Sequence, residues 1–236
     1  MEKIRTDNSP LVSPLVILDR VEKNYFDGEQ KNTIYHELTA QFLRSERVAL
    51  FGRSGCGKTT LLNLLSGIDL PDSGSITVNG HDITAMNETQ RTLFRRDHIG
   101  FIFQFFNLVP TLSVLENILL PLELANKKNQ QGKEYALSLL DEVSLSHRLD
   151  SYPENLSGGE QQRIAIVRAL IHEPVLILAD EPTGNLDAET SEKILALLDS
   201  MLNKTKATLI VVTHSKETAS ITDRVLTIKN GKLCTV

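Results

Sequence analysis

The chain has few cysteines, no long apolar run and no basic excess, and each absence excludes a class of protein. Among 236 residues only Cys56 and Cys234 are cysteines, too few for a disulfide framework and in keeping with a reducing cytosol. No apolar stretch approaches the roughly 20 residues that span a bilayer. The net charge is −5, so a broad basic footprint for nucleic acid is missing, and we expect no nucleic-acid partner.

The N-terminus also lacks the features of a secretory signal. Residues 1–14 carry early charges and two prolines without a continuous apolar segment, so we expect a flexible tail rather than a signal peptide. The whole chain is 41% hydrophobic and 23% charged, which is typical of a globular protein with a large core. We therefore expect a soluble, intracellular protein with one large domain or two small ones.

Apolar runs bounded by turn residues predict strands in both halves of the chain. The runs "VLILAD" (175–180) and "TLIVVTH" (208–214) are typical of strands buried on both faces of a parallel sheet. Further strands are predicted at 14–25, 47–52, 73–80, and as a hairpin at 224–229 and 232–236. Apolar stripes predict helices at 161–171 and around Ile194, Leu198 and Met201.

The middle third of the chain differs from both flanks. Residues 89–170 are rich in helical patterns and lack evident strand runs, with a polar loop at 126–133. We therefore predict one α/β domain, residues 15–236, in which this helical segment is inserted between two strand-bearing parts.

Residues 52–60, "GRSGCGKTT", have the spacing of a phosphate-binding loop between a strand and a helix. Glycines there let backbone N–H groups curve around phosphate oxygens, and the following helix directs its positive end at the same anion. Lys58 would contact the β- and γ-phosphates, and the Thr59 hydroxyl would bind Mg²⁺. A glycine-rich turn with an incidental lysine is the alternative. The candidate nucleotide-binding residues are Gly52, Arg53, Ser54, Gly55, Cys56, Gly57, Lys58, Thr59 and Thr60.

Polar residues end three of the apolar runs and are candidates for catalysis. Asp180 can hold Mg²⁺ and Glu181 can orient and polarise an attacking water, because ligands of open α/β sheets bind at the carboxyl ends of strands. His214 is a candidate hydrogen-bond donor to the γ-phosphate. Gln104, in "GFIFQFFN", is a candidate ligand of Mg²⁺ or of the attacking water. Solvated acids, a surface histidine and a strand-end amide are the alternatives.

Together these motifs resemble an ATP-binding-cassette (ABC) ATPase over nearly the whole chain. In that family's terms, residues 52–60 are Walker A, 175–180 Walker B, Gln104 the Q-loop glutamine, Glu181 the catalytic glutamate and His214 the switch histidine. Residues 156–160, "LSGGE", resemble the signature motif, and 185–187 resemble the D-loop. The resemblance implies a P-loop NTPase of the α/β class, with a RecA-like core, an antiparallel β subdomain and an inserted helical subdomain.

The resemblance also implies an ATP-binding partner surface. In this family the signature motif caps the γ-phosphate held by a second, facing cassette, so a homodimer with two sandwiched ATP molecules is implied. Residues with this implied role are Ser157, Gly158, Gly159 and Glu160, and Asp187 of the D-loop. Tyr25 matches the aromatic residue that stacks on adenine, and a strand-end core tyrosine is the alternative.

Residues 100–122 and 179–190 resemble the bacterial branch of lipoprotein-release ATPases and macrolide-exporter cassettes. That branch implies an integral membrane permease as partner, a peripheral location on the cytoplasmic face of the inner membrane, and hydrolysis of ATP with Mg²⁺. A cell-division type cassette that signals without moving cargo is the alternative. We expect aromatic residues beside Gln104 to contact the permease, and Phe101 and Phe103 to face the core.

Overall fold

A computed structural model of the chain describes residues 13–28, 30–52 and 55–236, and its strands form two sheets. In chain order the strands are β1 (Pro14–Asp27), β2 (Gln30–Leu43), β3 (Arg47–Phe51), β4 (Ser73–Val78), β5 (His81–Asp82), β6 (Ile99–Phe103), β7 (Leu176–Asp180), β8 (Thr208–Thr213), β9 (Arg224–Lys229) and β10 (Lys232–Thr235). An antiparallel sheet has the order β2-β1-β4-β5, and a six-stranded sheet has the order β10-β9-β3-β8-β7-β6.

The helices lie between these strands. They are α1 (Lys58–Leu65), α2 (Glu88–His98), α3 (Val114–Leu124), α4 (Gln130–Glu142), α5 (Gly158–Leu170), α6 (Ala188–Thr205) and α7 (Lys216–Ser220), with short 3₁₀ turns at Ser146–Arg148 and Pro153–Asn155. Capping boxes begin α2, α3 and α5, each satisfying exposed N–H groups of the first turn. Across the described ranges, no helix is both long and apolar enough to cross a membrane.

The six-stranded sheet has apolar side chains packed on both of its faces. Along β7, Leu176 and Leu178 pack with α1 and the antiparallel sheet, whereas Ile177 and Ala179 pack with α3, α5 and α6. This arrangement confirms the prediction that the apolar run at 175–180 is a strand buried on both sides. The strands expected at 14–25, 47–52, 73–80 and 208–214 and the C-terminal hairpin are also present.

Three strands were not predicted, namely β2, the two-residue β5 and β6, and β6 lies within the middle third of the chain. Strand β2 has an irregular sequence of buried and exposed residues, because register shifts interrupt its pairing with β1 and remove the simple alternation. Strand β6, "IGFIF", pairs in parallel with β7 at the edge of the core sheet. The prediction that residues 89–170 lack strands is therefore wrong, because this segment includes a core strand.

The predicted N-terminal tail falls mostly on residues 1–12, which lie outside the described residues. Pro14, the last residue of that predicted tail, is already the first residue of β1. Its neighbours in the strand, Leu15 and Val16, are buried. Among the described residues, β1 is therefore the first element.

Candidate active site

Four neighbouring parallel strands bring the predicted catalytic segments to one edge of the core sheet. In the order β3, β8, β7 and β6 the strands lead into Gly52, His214, Glu181 and Gln104, respectively. Parallel strands end at the same edge, so segments more than 100 residues apart in sequence meet there. The fold therefore supplies the convergence that spacing along the chain could not show.

A cavity of about 450 Å³ lies at this edge, within the range of small-molecule sites. Its lining residues are Tyr25, Ile34, Gly55, Gly57, Lys58, Thr59, Thr60, Gln104, Asp180, Glu181 and Val212. Cys56 is half-buried beside them. Two predicted residues, Arg53 and Ser54, lie outside the described residues.

Gly57 fixes the turn from the loop into α1. Its φ is +104°, and a Cβ at this position would lie 2.7 Å from Ile34 Cγ2, so a side chain is excluded for two reasons. The Tyr35 hydroxyl donates to the Gly57 carbonyl at 2.8 Å. Burial raises the pKa of Tyr35, which keeps the hydroxyl protonated as a donor. This buried bond holds the loop at the start of the helix.

Lys58 folds back over the loop that precedes it. The side chain is 8% exposed, and its Nζ donates to the Gly52 carbonyl at 2.7 Å. Since Gly52 begins the predicted phosphate loop, this contact joins the start of that loop to the first residue of α1. A bound phosphate could replace the neutral Gly52 carbonyl as the acceptor for Lys58 Nζ, because a charged acceptor forms the stronger hydrogen bond with an ammonium group.

Thr59 and Asp180 form an oxygen-rich pair at the floor of the cavity. The Thr59 hydroxyl donates to Asp180 Oδ2 at 3.3 Å. Burial raises the pKa of Asp180 and the nearby Glu181 charge acts in the same direction, while the Thr59 hydrogen bond opposes them. Hydroxyl and carboxylate oxygens suit Mg²⁺. The described part of the chain has no cluster of three His, Cys, Asp or Glu side chains suited to a metal.

Glu181 is paired with His214 across the ends of β7 and β8. Its backbone is left-handed, with φ of +46°, and its N–H donates to the Val212 carbonyl at 2.9 Å. His214 Nδ1 lies 2.7 Å from Glu181 Oε1, and the Thr213 hydroxyl donates to Oε2 at 3.3 Å. The carboxylate is therefore oriented by its neighbours, while the His214 ring remains exposed.

Gln104 lines the cavity and is held by the segment that follows Glu181. Its Nε2 donates to Asn185 Oδ1 at 3.2 Å, and Asn185 Nδ2 donates to the Gln104 carbonyl at 2.8 Å. The two side chains thus form a reciprocal pair between the end of β6 and the turn after β7. Asn185 was recognised from sequence only as part of the D-loop resemblance.

Tyr25 presents an accessible ring at the cavity, so the alternative of a core tyrosine is wrong. The residue is 41% exposed, and its hydroxyl donates to Asp69 Oδ2 at 2.7 Å. Lys23 Nζ donates to Asp69 Oδ1 at 2.7 Å and lies 5.0 Å from the centre of the Tyr25 ring. Sequence reasoning missed Lys23 and Asp69, since nothing in the pattern pairs residues so far apart.

Three signature residues, Ser157, Gly158 and Gly159, line a second cavity, whereas Leu156 and Glu160 line neither cavity. The second cavity is about 300 Å³ in volume and is lined by Ser157, Gly158, Gly159, Arg163, Asn185, Leu186, Asp187, Thr190 and Lys193. The hydroxyl of Ser157 accepts the Glu160 N–H at 3.3 Å, and Glu160 Oε2 accepts the Ser157 N–H at 2.8 Å. Asp187 caps α6 by accepting from Thr190. Neither Ser157 nor Asp187 lines the first cavity.

Gly159 has a close neighbour within its own chain. A Cβ there would lie 2.7 Å from Thr190 Cγ2, so the glycine allows α5 to approach α6 closely. Intrachain packing therefore requires this residue independently of the expected role in phosphate contact.

The comparison with known families agrees with the geometry of both cavities. The sequence model of the family described as "ABC transporter" matches residues 35–184, more than half of the chain. The chain belongs to the ABC transporter family. It is an ATP-binding, ATP-hydrolysing subunit, and the predicted α/β P-loop NTPase fold is confirmed.

Relatives match this ABC ATPase over almost their whole length. An ABC transporter ATP-binding protein of Mycobacterium tuberculosis is 49% identical over 220 residues, covering 93% of this chain and 89% of the relative. The lipoprotein-releasing system ATP-binding protein LolD of Saccharophagus degradans is 42% identical over 221 residues, covering 94% and 97%. These matches confirm the resemblance to the lipoprotein-release branch.

Solved structures of the ATP-binding cassette MJ0796 have the same fold. A dimeric post-hydrolysis state bound to ADP and Pi aligns with this ABC ATPase at a TM-score of 0.83 and 37% identity, covering 92% of this chain and 96% of that one. A second dimeric structure of that cassette aligns at a TM-score of 0.82.

Proposed function

We propose that this ABC ATPase closes as a homodimer around two ATP molecules and drives a conformational change in a membrane permease of the export or lipoprotein-release type. One observation carries the proposal. The first cavity, lined by Lys58 and Thr59 and called here the P-loop cavity, and the second, lined by Ser157 and Gly158 and called the signature cavity, are separate sites on the same chain. A two-fold dimer would place the signature cavity of each copy against the P-loop cavity of the other. The dimeric state of the related cassette supports this arrangement.

The residues of the P-loop cavity divide between binding and chemistry. Tyr25 would stack on adenine, and Lys58 with the loop N–H groups would hold the β- and γ-phosphates. From the facing copy, Ser157 and the N-terminus of α5 would contact the γ-phosphate. Because both contacts form only after ATP has bound, nucleotide would control closure of the dimer.

Thr59 and Asp180 would hold Mg²⁺, with Gln104 able to reach the ion or the water once it leaves Asn185. The ion would neutralise phosphate charge as the γ-phosphoryl group transfers. Glu181 would orient a water molecule and accept its proton as oxygen attacks the γ-phosphorus and the bond to the β–γ bridging oxygen breaks. His214 would hold Glu181 in place through Nδ1–H before ATP binds, and after releasing that carboxylate its other tautomer, with the proton on Nε2, would donate to the γ-phosphate.

A third cavity supports docking of the permease. It is about 520 Å³ in volume and lies beside β6, α2 and α3, with Phe101, Phe103, Leu120 and Leu124 among its lining residues. Phe101 and Phe103 are half-buried, with their stacked ring centres 5.5 Å apart, so they face the core only in part. Phe105 is 72% exposed. An apolar groove of this kind suits an apolar partner segment.

This docking would hold the chain on the cytoplasmic face of a bacterial inner membrane. The proposal is tested by affinity purification of a Glu181→Gln chain from detergent-solubilised native membranes, with and without MgATP, using Lys58→Ala as a control that cannot bind nucleotide. A co-purified permease with few spans and a large extracytoplasmic domain supports it. Recovery of soluble partners alone contradicts it, and a permease whose function needs ATP but moves no cargo favours the signalling alternative.

A further inference from the structure

Gln162 is a fully buried amide in the first half of α5, two residues beyond the signature motif. It is 0% exposed, and its Nε2 donates to the Pro182 carbonyl at 2.6 Å. Its Oε1 is buried and has no hydrogen-bond partner. The opposite amide orientation would bring two acceptor oxygens together, so the donor must face Pro182. An unpaired buried acceptor costs stability, so packing alone would favour an apolar side chain here.

The carbonyl that Gln162 contacts belongs to the turn that carries Glu181. The left-handed backbone of Glu181 is sparsely populated by residues other than glycine, so the surrounding structure must hold it. From the β8 side, the Val212 carbonyl accepts the Glu181 N–H. On the α7 side, the buried hydroxyls of Thr183 and Thr218 lie 3.3 Å apart. Gln162 supplies the corresponding contact from α5.

Helix α5 connects this turn with the signature cavity. Ser157 caps the helix and Gly158 begins it, and both line that cavity. Beyond them, seven residues of the helix are buried, including Gln162 and Ile166. A closely packed helix moves as a unit, so a displacement at its N-terminus would reach the Pro182 carbonyl through the Gln162 amide.

We propose that Gln162 is a positioning residue that couples the signature motif to the catalytic turn of the same chain. The inference rests on the proposed function, in which the signature motif contacts ATP bound by the partner copy. Occupancy of the partner's site thereby adjusts the orientation of Glu181 in the chain's own site. Gln162 is fully buried and lines neither cavity, so it acts through the turn that holds Glu181.

The test compares Gln162→Met with wild type in the full chain. Methionine has a similar length and remains compatible with burial, but it cannot donate to the Pro182 carbonyl. We expect kcat for ATP hydrolysis to fall about tenfold, which corresponds to the loss of one well-placed interaction in the transition state. The dissociation constant of a fluorescent ATP analogue for the monomer should change by less than about twofold, and the Hill coefficient for ATP should fall towards 1.

A matched control and a trapped state separate positioning from simple destabilisation. Ile166→Val shortens a buried apolar residue of the same helix, whose side chain cannot hydrogen-bond to the turn, and it should keep wild-type turnover. Thermal melting of both variants reports their folding. In the Glu181→Gln background, Gln162→Met should still form a dimer with MgATP, because both cavities keep their lining residues.

Each outcome bears on the inference. Wild-type turnover in a folded Gln162→Met chain would overturn it. A Gln162→Met chain that loses ATP affinity and turnover in parallel would also overturn it, as would an equal loss of turnover in Ile166→Val. The single variant Glu181→Gln distinguishes this failure from failure of the proposed function. If Glu181→Gln hydrolyses ATP at the wild-type rate, both fail. If it is inactive and Gln162→Met is normal, only the coupling role fails.

Discussion

Two adjacent carboxyl groups, on Asp180 and Glu181, have different surroundings and therefore different chemical capacities. Asp180 contacts the Thr59 hydroxyl at the floor of the P-loop cavity, and burial raises its pKa. Glu181 turns away through a left-handed backbone step and pairs with His214. The two surroundings match the proposed roles, in which Asp180 would hold Mg²⁺ and Glu181 would orient the attacking water.

The raised pKa of Asp180 predicts that this residue reduces the stability of the protein without nucleotide. A carboxyl whose folded pKa lies above its unfolded value destabilises the fold when ionised. In chelator at pH 7, Asp180→Asn should raise the melting temperature by on the order of 1–3 °C and abolish most ATP hydrolysis. The stabilisation should vanish as the pH falls through the raised pKa and below the ordinary value of 3.8. A melting temperature below wild type at pH 7 would contradict this assignment.

Tyr25 should contribute to ATP affinity through its ring more than through its hydroxyl. Tyr25→Ala removes the stacking face and should weaken MgATP binding by about tenfold or more. Tyr25→Phe keeps the ring and loses the hydroxyl contacts with Asp69 and Thr60, so it should weaken binding by about twofold to fivefold. Isothermal titration calorimetry on the two variants measures both effects. Equal affinities for Tyr25→Ala and wild type would remove Tyr25 from the site.

At the scale of elements, the signature motif serves as a helix cap as well as a candidate phosphate contact. The Ser157 N–H lowers the pKa of Glu160, the Ser157 hydroxyl and Arg148 act in the same direction, and partial burial opposes them. A capping box of the same kind, formed by Ser113 and Glu116, begins α3. Glu160 therefore has a structural role that can be measured apart from nucleotide.

Glu160→Ala should destabilise the fold at neutral pH by about 1 kcal/mol, as expected for losing one side of a capping box. A depressed folded pKa gives stability that is present above the ordinary value of 4.5 and lost as the pH falls through the folded pKa, so the difference from wild type should shrink in acid. Chemical denaturation at pH 7 and pH 3.5 checks this. Glu160→Gln keeps one acceptor for the Ser157 N–H but loses the charge and the second acceptor, so its stability should lie between those of wild type and Glu160→Ala. Glu116→Ala should show the same pH trend without affecting ATP-dependent dimerisation. A difference that grows in acid would contradict the argument.

The elements that sequence predicted well are those whose pattern is local. The run at 175–180 is apolar throughout, and the loop at 52–60 has a fixed spacing, so both could be recognised without tertiary information. Strand β6 was missed because five residues beside a glutamine show no periodicity, and β2 was missed because bulges break its alternation. The contacts of Tyr25 with Asp69 and of Gln162 with Pro182 depend on packing between distant segments. No local pattern encodes them.

At the scale of the whole molecule, the proposed function makes each of the two cavities half of a site that a second copy completes. The core sheet gathers the P-loop cavity, while α5, α6 and the turn after Glu181 form the signature cavity. If ATP completes its coordination only between two copies, nucleotide binding and association are one equilibrium. Hydrolysis would then let the two copies separate, and a docked permease would be moved by both the closure and the separation of the dimer.

The most direct test of this account is the molar mass of the Glu181→Gln chain, measured by light scattering after gel filtration with and without MgATP. The account predicts a monomer without nucleotide and twice that mass with MgATP. It also predicts that Glu181→Gln combined with Ser157→Arg binds ATP but stays monomeric, because the added side chain fills the signature cavity. A Glu181→Gln chain that is saturated with MgATP and remains monomeric would contradict the account.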